Sequence, residues 1–170
     1  MNAFTISAPV LPSATKKALI LQSLLLACAV FLPSLCHLAG FNARALLPMH
    51  WPVLICALVY GYRAGAFLAA ASIAFSYMLS GMPPFPMIFV MLGEMLAYGF
   101  IAGLLREEFK LNYAISLAGA IIAGRIAYLI LAYFILLKFT PLSLTAGAYA
   151  VLAQLILIPF ISSKWTKNLQ

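Results

Sequence analysis

Apolar residues run along this chain in long unbroken stretches rather than in the spaced stripes of a soluble helix or the alternation of a half-buried strand. A helix crossing ~30 Å of hydrocarbon needs about 20 mostly apolar residues. Six stretches approach or reach that length: Ala18 to Cys36, Leu46 to Tyr60, Ala64 to Leu79, Phe85 to Leu105, Asn112 to Leu137 and Leu142 to Ile161. The second is short for a span. Breaks fall where turn chemistry predicts them, at Gly40, Gly61-Tyr62-Arg63, Gly81-Met82-Pro83-Pro84, Arg106-Glu107-Glu108 and Thr140-Pro141. Continuous runs exclude a transmembrane β-barrel, whose strands alternate. No linker or low-complexity segment divides the chain. The pattern predicts an all-α polytopic membrane protein: six transmembrane helices in one domain over residues 1–170, with residues 1–16 as a cytoplasmic tail.

Composition agrees. Of 170 residues, 66% belong to the AVILMFWYC set and only 8% are charged, with a mean hydropathy of +1.11. A soluble protein of this size has more surface than so few charges can cover. A water-soluble domain, a disordered chain and a nucleic-acid-binding module are thereby excluded. The net charge of +7 would suggest an anionic partner in a soluble protein, but here basic residues sit singly between apolar runs, as orientation-setting loop charges do. With the N-terminus inside, the inner side receives Lys16, Lys17, Arg63, Arg106, Lys110, Lys164 and Lys167, and the outer side Arg44 and Lys138. An odd number of spans would destroy that bias, so both termini are expected in the cytoplasm, with Trp165 as an interfacial anchor. Lys16-Lys17 followed by Leu25-Leu26-Ala27-Cys28 has the look of a cleaved signal, but the apolar run continues and more membrane follows, which favours a first span. Cys28, Cys36 and Cys56 form no CxxC pair and are read as packing thiols.

Charges inside apolar runs cost several kcal/mol unless they are paired or useful. Glu94 and Arg125 both lie near mid-span. They read as an ion pair tying the fourth and fifth spans together, as a polar anchor for a solute, or as both, with Glu94 holding Arg125 against a ligand carboxylate. Gln154 adds an amide at similar depth and reads as an interhelical hydrogen bond. Tyr98 follows Glu94 by four residues and Tyr128 follows Arg125 by three, so each shares a face with its charged neighbour. Two connections expected outside are unusual: a stiff, uncharged Gly81-Met82-Pro83-Pro84-Phe85-Pro86, and one crowded with Asn42, Arg44, His50 and Trp51. Together they suit a cover over an outward-opening cavity.

Small residues recur every fourth position at Ala66-Ala70-Ala74, Gly99-Gly103 and Ala120-Gly124. Such rows let helix backbones approach closely, and internal packing is their default use. The smooth third span also suits docking on another membrane protein. Signals for catalysis are lacking. The GAIIAGR stretch at 119–125 lies inside an apolar run with no preceding strand, so it is no phosphate loop. His37 and His50 have no converging carboxylate for zinc, and the chain contains no aspartate. We expect no enzyme, no metal, no cofactor held by this chain and no ATP site; energised transport would draw on a partner.

Several motifs in register carry a resemblance. Leu47-Pro48-Met49-His50-Trp51-Pro52-Val53-Leu54 and Gly61-Tyr62-Arg63-Ala64-Gly65 resemble the start of the second and third spans in substrate-binding S components of energy-coupling factor (ECF) transporters. Gly81-Met82-Pro83-Pro84, Glu94-Met95-Leu96-Ala97-Tyr98-Gly99, Gly124-Arg125-Ile126 and Leu155-Ile156-Leu157-Ile158-Pro159 continue it in order. The resemblance covers about Leu46 to Pro159. It implies a six-helix subunit of the bacterial or archaeal cytoplasmic membrane that binds a vitamin or micronutrient from outside with high affinity. It further implies work with a transmembrane coupling protein and two ATPases that use ATP, and toppling to deliver the solute. Substrate contacts would then involve Glu94, Arg125, Tyr98, Tyr128, Asn42, His50, Trp51 and Met82. Covering loops would be about His37 to Leu47, Ser80 to Phe85 and Lys138 to Leu142. The coupling-protein face would include Ala14, Ala18, Ala66, Ala70 and Ala74. The nearest-looking subgroup is linked to pantothenate, while biotin, lipoate or another small carboxylate suits Arg125 equally, and cobalamin stays open through Cys56. A non-transporting scaffold of similar fold is the alternative reading.

Overall fold

The computed structural model describes residues 9–40, 46–137 and 147–169, and those residues hold six helices. They are α1 (Lys16–Leu38), α2 (His50–Tyr60), α3 (Tyr62–Ser80), α4 (Met87–Glu107), α5 (Tyr113–Leu136) and α6 (Ala148–Leu169). Five are long and apolar enough to cross a membrane; α2 is the shorter one. Successive helices run up and down, so the starts of α1, α3 and α5 gather with the ends of α2, α4 and α6. That end, the basic end of the molecule, carries Lys17, Arg63, Arg106, Lys110, Lys164 and Lys167.

Local chemistry sets the boundaries. Thr15 Oγ1 accepts from the Ala18 N–H at 3.2 Å and opens α1, and Asn112 Oδ1 accepts from the Ile115 N–H at 2.8 Å and opens α5. Gly81, left-handed at φ 67°, closes α3 with its N–H on the Tyr77 carbonyl. The second apolar run yields only the eleven residues of α2, because Leu47 takes φ 48° ahead of Pro48 and breaks the helical path. Eleven residues reach about 16 Å, roughly half the hydrocarbon thickness. The last run extends past its expected end at Ile161 to Leu169. No glycine or proline stops it there, and Ser162 and Thr166 are buried, with the Thr166 hydroxyl bonded back to the Ser162 carbonyl at 2.9 Å. Residues 142–146 lie outside the described ones.

The short helix is the centre of the molecule. Every residue of α2 except Trp51 is buried, with α1, α3, α4 and α6 packed around it. Residues 9–15 are docked rather than trailing: the Leu11 N–H donates to the Val59 carbonyl at 2.8 Å, and Gln22 Nε2 donates to the Ser13 carbonyl at 2.9 Å. Backbone meets backbone where α3 crosses α4. A Cβ at Gly99 would strike the Gly65 carbonyl, and one at Gly103 would strike the Tyr62 backbone. The Gly99-Gly103 row is internal packing, as is Gly124, whose missing side chain makes room for the Tyr98 ring.

Arg106, expected as a loop charge, is buried at the basic end. Its Nε donates to the Leu58 carbonyl at 3.3 Å and its Nη1 to the Leu111 carbonyl at 2.9 Å. Its guanidinium carbon lies 3.9 Å from the centroid of the Tyr113 ring. Beside it Glu107 Oε2 accepts from the Tyr62 N–H at 3.2 Å, capping α3 from a neighbouring helix. The sequence signal was present in Arg106-Glu107, but nothing there separates a loop charge from one folded inward.

Candidate functional site

Three helices bring four polar side chains to one point in the interior. Glu94, seven residues into α4, is 4% exposed. Its Oε1 accepts from the Tyr98 hydroxyl at 3.0 Å and from Arg125 Nη1 of α5 at 3.2 Å. His50, the first residue of α2, places Nε2 3.9 Å from the same oxygen. The three contacts converge on Oε1, and none engages Oε2. Tyr98 reaches Glu94 because four residues make one helical turn, and its ring stands edge-on to the His50 ring at 5.1 Å. Gly124 lets α5 come close enough for Arg125 to cross to α4.

Helix α2 starts at the level of Glu94, which places its first side chain, His50, in the cluster. His50, expected in an outer connection, is instead buried at 4% exposure. The α2 N-terminus has no side-chain cap; the His50 N–H is taken by the Leu47 carbonyl at 3.1 Å, and the positive end of the helix dipole lies beside a carboxylate.

Hydrogen-bonding capacity is left over. Among the described residues neither ring nitrogen of His50 has a hydrogen-bond partner, Nε2 standing only at ion-pair distance from Glu94, and Arg125 Nη2 has none. The Arg125 side chain keeps 16% exposure while the Glu94 side chain keeps 5%. A buried pair joined through a single Nη1 contact, rather than the two-pronged fork arginine can make, leaves a donor for a third party.

The other expected site residues fare differently. Trp51 is half-buried next to His50, with its indole N–H on the Leu46 carbonyl at 3.2 Å. Tyr128 is half-buried on α5 and Met82 is exposed in the 81–86 connection. No hydrogen bond, ion pair or ring contact among the described residues joins Tyr128 or Met82 to the cluster. Asn42 lies outside the described residues, as does the 138–142 loop. Gln154 is buried on α6, with Nε2 unpartnered among the described residues. Cys56 is fully buried in the core around α2, with no open side.

Of the small residues, Ala66 and Ala70 are half-buried and Ala74 exposed along an open face of α3, a face that also carries Phe67, Phe75 and Met78. Ala14 is exposed. Ala18, by contrast, is buried within the chain and drops out of any docking face.

Long apolar helices around a buried acid–base cluster define a multi-pass membrane protein with a polar centre. The chain belongs to the family of ECF transporter substrate-specific components, whose model matches residues 17–167. That makes it a substrate-specific membrane subunit of a transporter and not an enzyme. Comparison with curated proteins and with solved structures gives no match.

Proposed function

We propose that this chain is the high-affinity substrate-binding subunit of an ECF-type ABC importer for a vitamin or related micronutrient, a small carboxylate such as pantothenate. One observation carries the reading: Arg125 Nη2 and both His50 ring nitrogens have no hydrogen-bond partner among the described residues, beside a Glu94 Oε2 that the cluster's own contacts leave alone. A ligand carboxylate suits Arg125 and the uncapped start of α2, while its hydroxyl or amide suits Oε2. Trp51, Tyr98, Tyr128 and Met82 are assigned to the walls and mouth, and Asn42 to the cover. Biotin and lipoate answer the same anchor. Cobalamin fits less well, because Cys56 is enclosed.

In this reading the basic end faces the cytoplasm, both termini lie there, and the chain crosses a bacterial or archaeal cytoplasmic membrane six times, with the short α2 in the second crossing. The open face of α3, with Ala66, Ala70, Ala74 and nearby Ala14, meets a transmembrane coupling protein whose two cytoplasmic ATPases supply the ATP. A non-transporting scaffold is the second reading, favoured by the direct Arg125–Glu94 pair, which also serves as a pin between α4 and α5. Mass spectrometry of small molecules extracted from protein purified out of its native membrane separates the two. One vitamin at near-equimolar amount is expected; preparations with none, repeated after growth on each candidate, favour the scaffold.

A further inference from the structure

At the basic end, well away from the Glu94 cluster, α1 leans on α2 and α3 while α6 leans on α2 and α5. Between α1 and α6 runs a groove of ≈ 500 Å³ whose walls include Lys17, Ile20, Leu21, Phe160, Lys164 and Trp165. Two features say what fills it. First, the walls are apolar and open to the outside of the bundle: Ile20 and Phe160 are largely exposed, on helices long enough to span. Second, the rim is cationic with no acid to answer it. The chain's three acids are Glu94, Glu107 and Glu108; none lines the groove, and Glu107 caps α3. Lys164 Nζ stands 5.3 Å from the Phe160 ring centroid, above an apolar wall.

We propose that this groove binds one anionic phospholipid of the leaflet at the basic end, its headgroup phosphate held between Lys17 and Lys164 and one acyl chain laid along Ile20, Leu21 and Phe160. Basic pockets between helices at a membrane surface select anionic headgroups, and the apolar floor selects a lipid over a free phosphate. Trp165, half-buried in the wall, supplies the polar–apolar tip favoured at that depth. The site stands on groove shape and charge, independently of the substrate.

Trp51 and Trp165 are the only two indoles, so full-length Trp51→Phe protein in vesicles reports on Trp165 alone. Quenching by phosphatidylglycerol with brominated acyl chains is compared with quenching by brominated phosphatidylcholine. Each lysine near an anionic surface contributes roughly five-fold, so the two give about a twenty-five-fold preference for phosphatidylglycerol. Lys17→Gln with Lys164→Gln should abolish that preference, and Arg63→Gln, at the same end but off the groove, should keep it. Inorganic phosphate should leave the quenching unchanged. Equal quenching by both lipids, a preference surviving the double substitution, or relief by inorganic phosphate would each overturn the proposal. Relief only when a copurifying membrane protein is present would overturn it too, in favour of a protein partner.

Discussion

Glu94 takes the Tyr98 hydroxyl and the Arg125 guanidinium on a single oxygen with His50 close by, so removing any one donor leaves a buried anion short of compensation. Breaking one side of a buried pair costs about 3–5 kcal/mol. Arg125→Ala is therefore expected to lower thermal stability in detergent by an amount of that order. Glu94→Gln combined with Arg125→Met removes both charges and should recover most of the loss without recovering ligand response. Recovery of both would assign the pair to packing alone. Tyr98→Phe removes one hydrogen bond to a charged acceptor, about 1.5–3 kcal/mol, and leaves the ring contact with His50. Of this site the sequence made Glu94, Arg125 and Tyr98 legible, because charges inside apolar runs stand out and one turn of helix fixes the tyrosine. It hid the burial of His50, since a residue between Met49 and Trp51 reads equally well as loop or helix start until the neighbours are in place.

Among the elements, α2 decides most. Its eleven residues occupy the middle of the bundle and begin at the level of Glu94, which hydropathy alone cannot distinguish from a span cut short by a break. Around it the packing depends on backbone contact: Gly99→Ala places a methyl on the Gly65 carbonyl, where no flexible side chain can give way. Overpacking of this kind costs about 1–3 kcal/mol. A clearly lowered melting temperature is expected for Gly99→Ala, whereas Ala74→Ser on the open face of α3 should be neutral. At the basic end Arg106→Lys keeps the charge but loses the planar fork that serves two carbonyls at once. Its stability should fall by about 1–3 kcal/mol, and an unchanged melting curve would mean those bonds contribute nothing. The four-residue rows of glycine were readable as close-approach sites; which helix each one meets was not, because partner choice depends on the order in which helices surround α2.

At the scale of the whole molecule, the α3 face with Ala66, Ala70 and Ala74 is open, while the glycine rows are enclosed. Ala70→Leu is expected to leave folding and ligand binding intact and to abolish co-purification with the coupling protein. Loss of ligand binding instead would place Ala70 in the solute path. The membrane character and helical architecture were written plainly in the runs; the division of small residues into inner and outer sets was not, as Ala18 shows by turning inward. The claim underlying all of this is that Arg125 anchors an anionic solute reaching the centre from one side. The most direct measurement is thermal stabilisation of the purified protein across a vitamin panel, alongside the Glu94→Gln, Arg125→Met double variant. The account predicts a saturable shift of several degrees with one small carboxylate, lost in the variant; no shift with any vitamin, or an equal shift in both proteins, would contradict it.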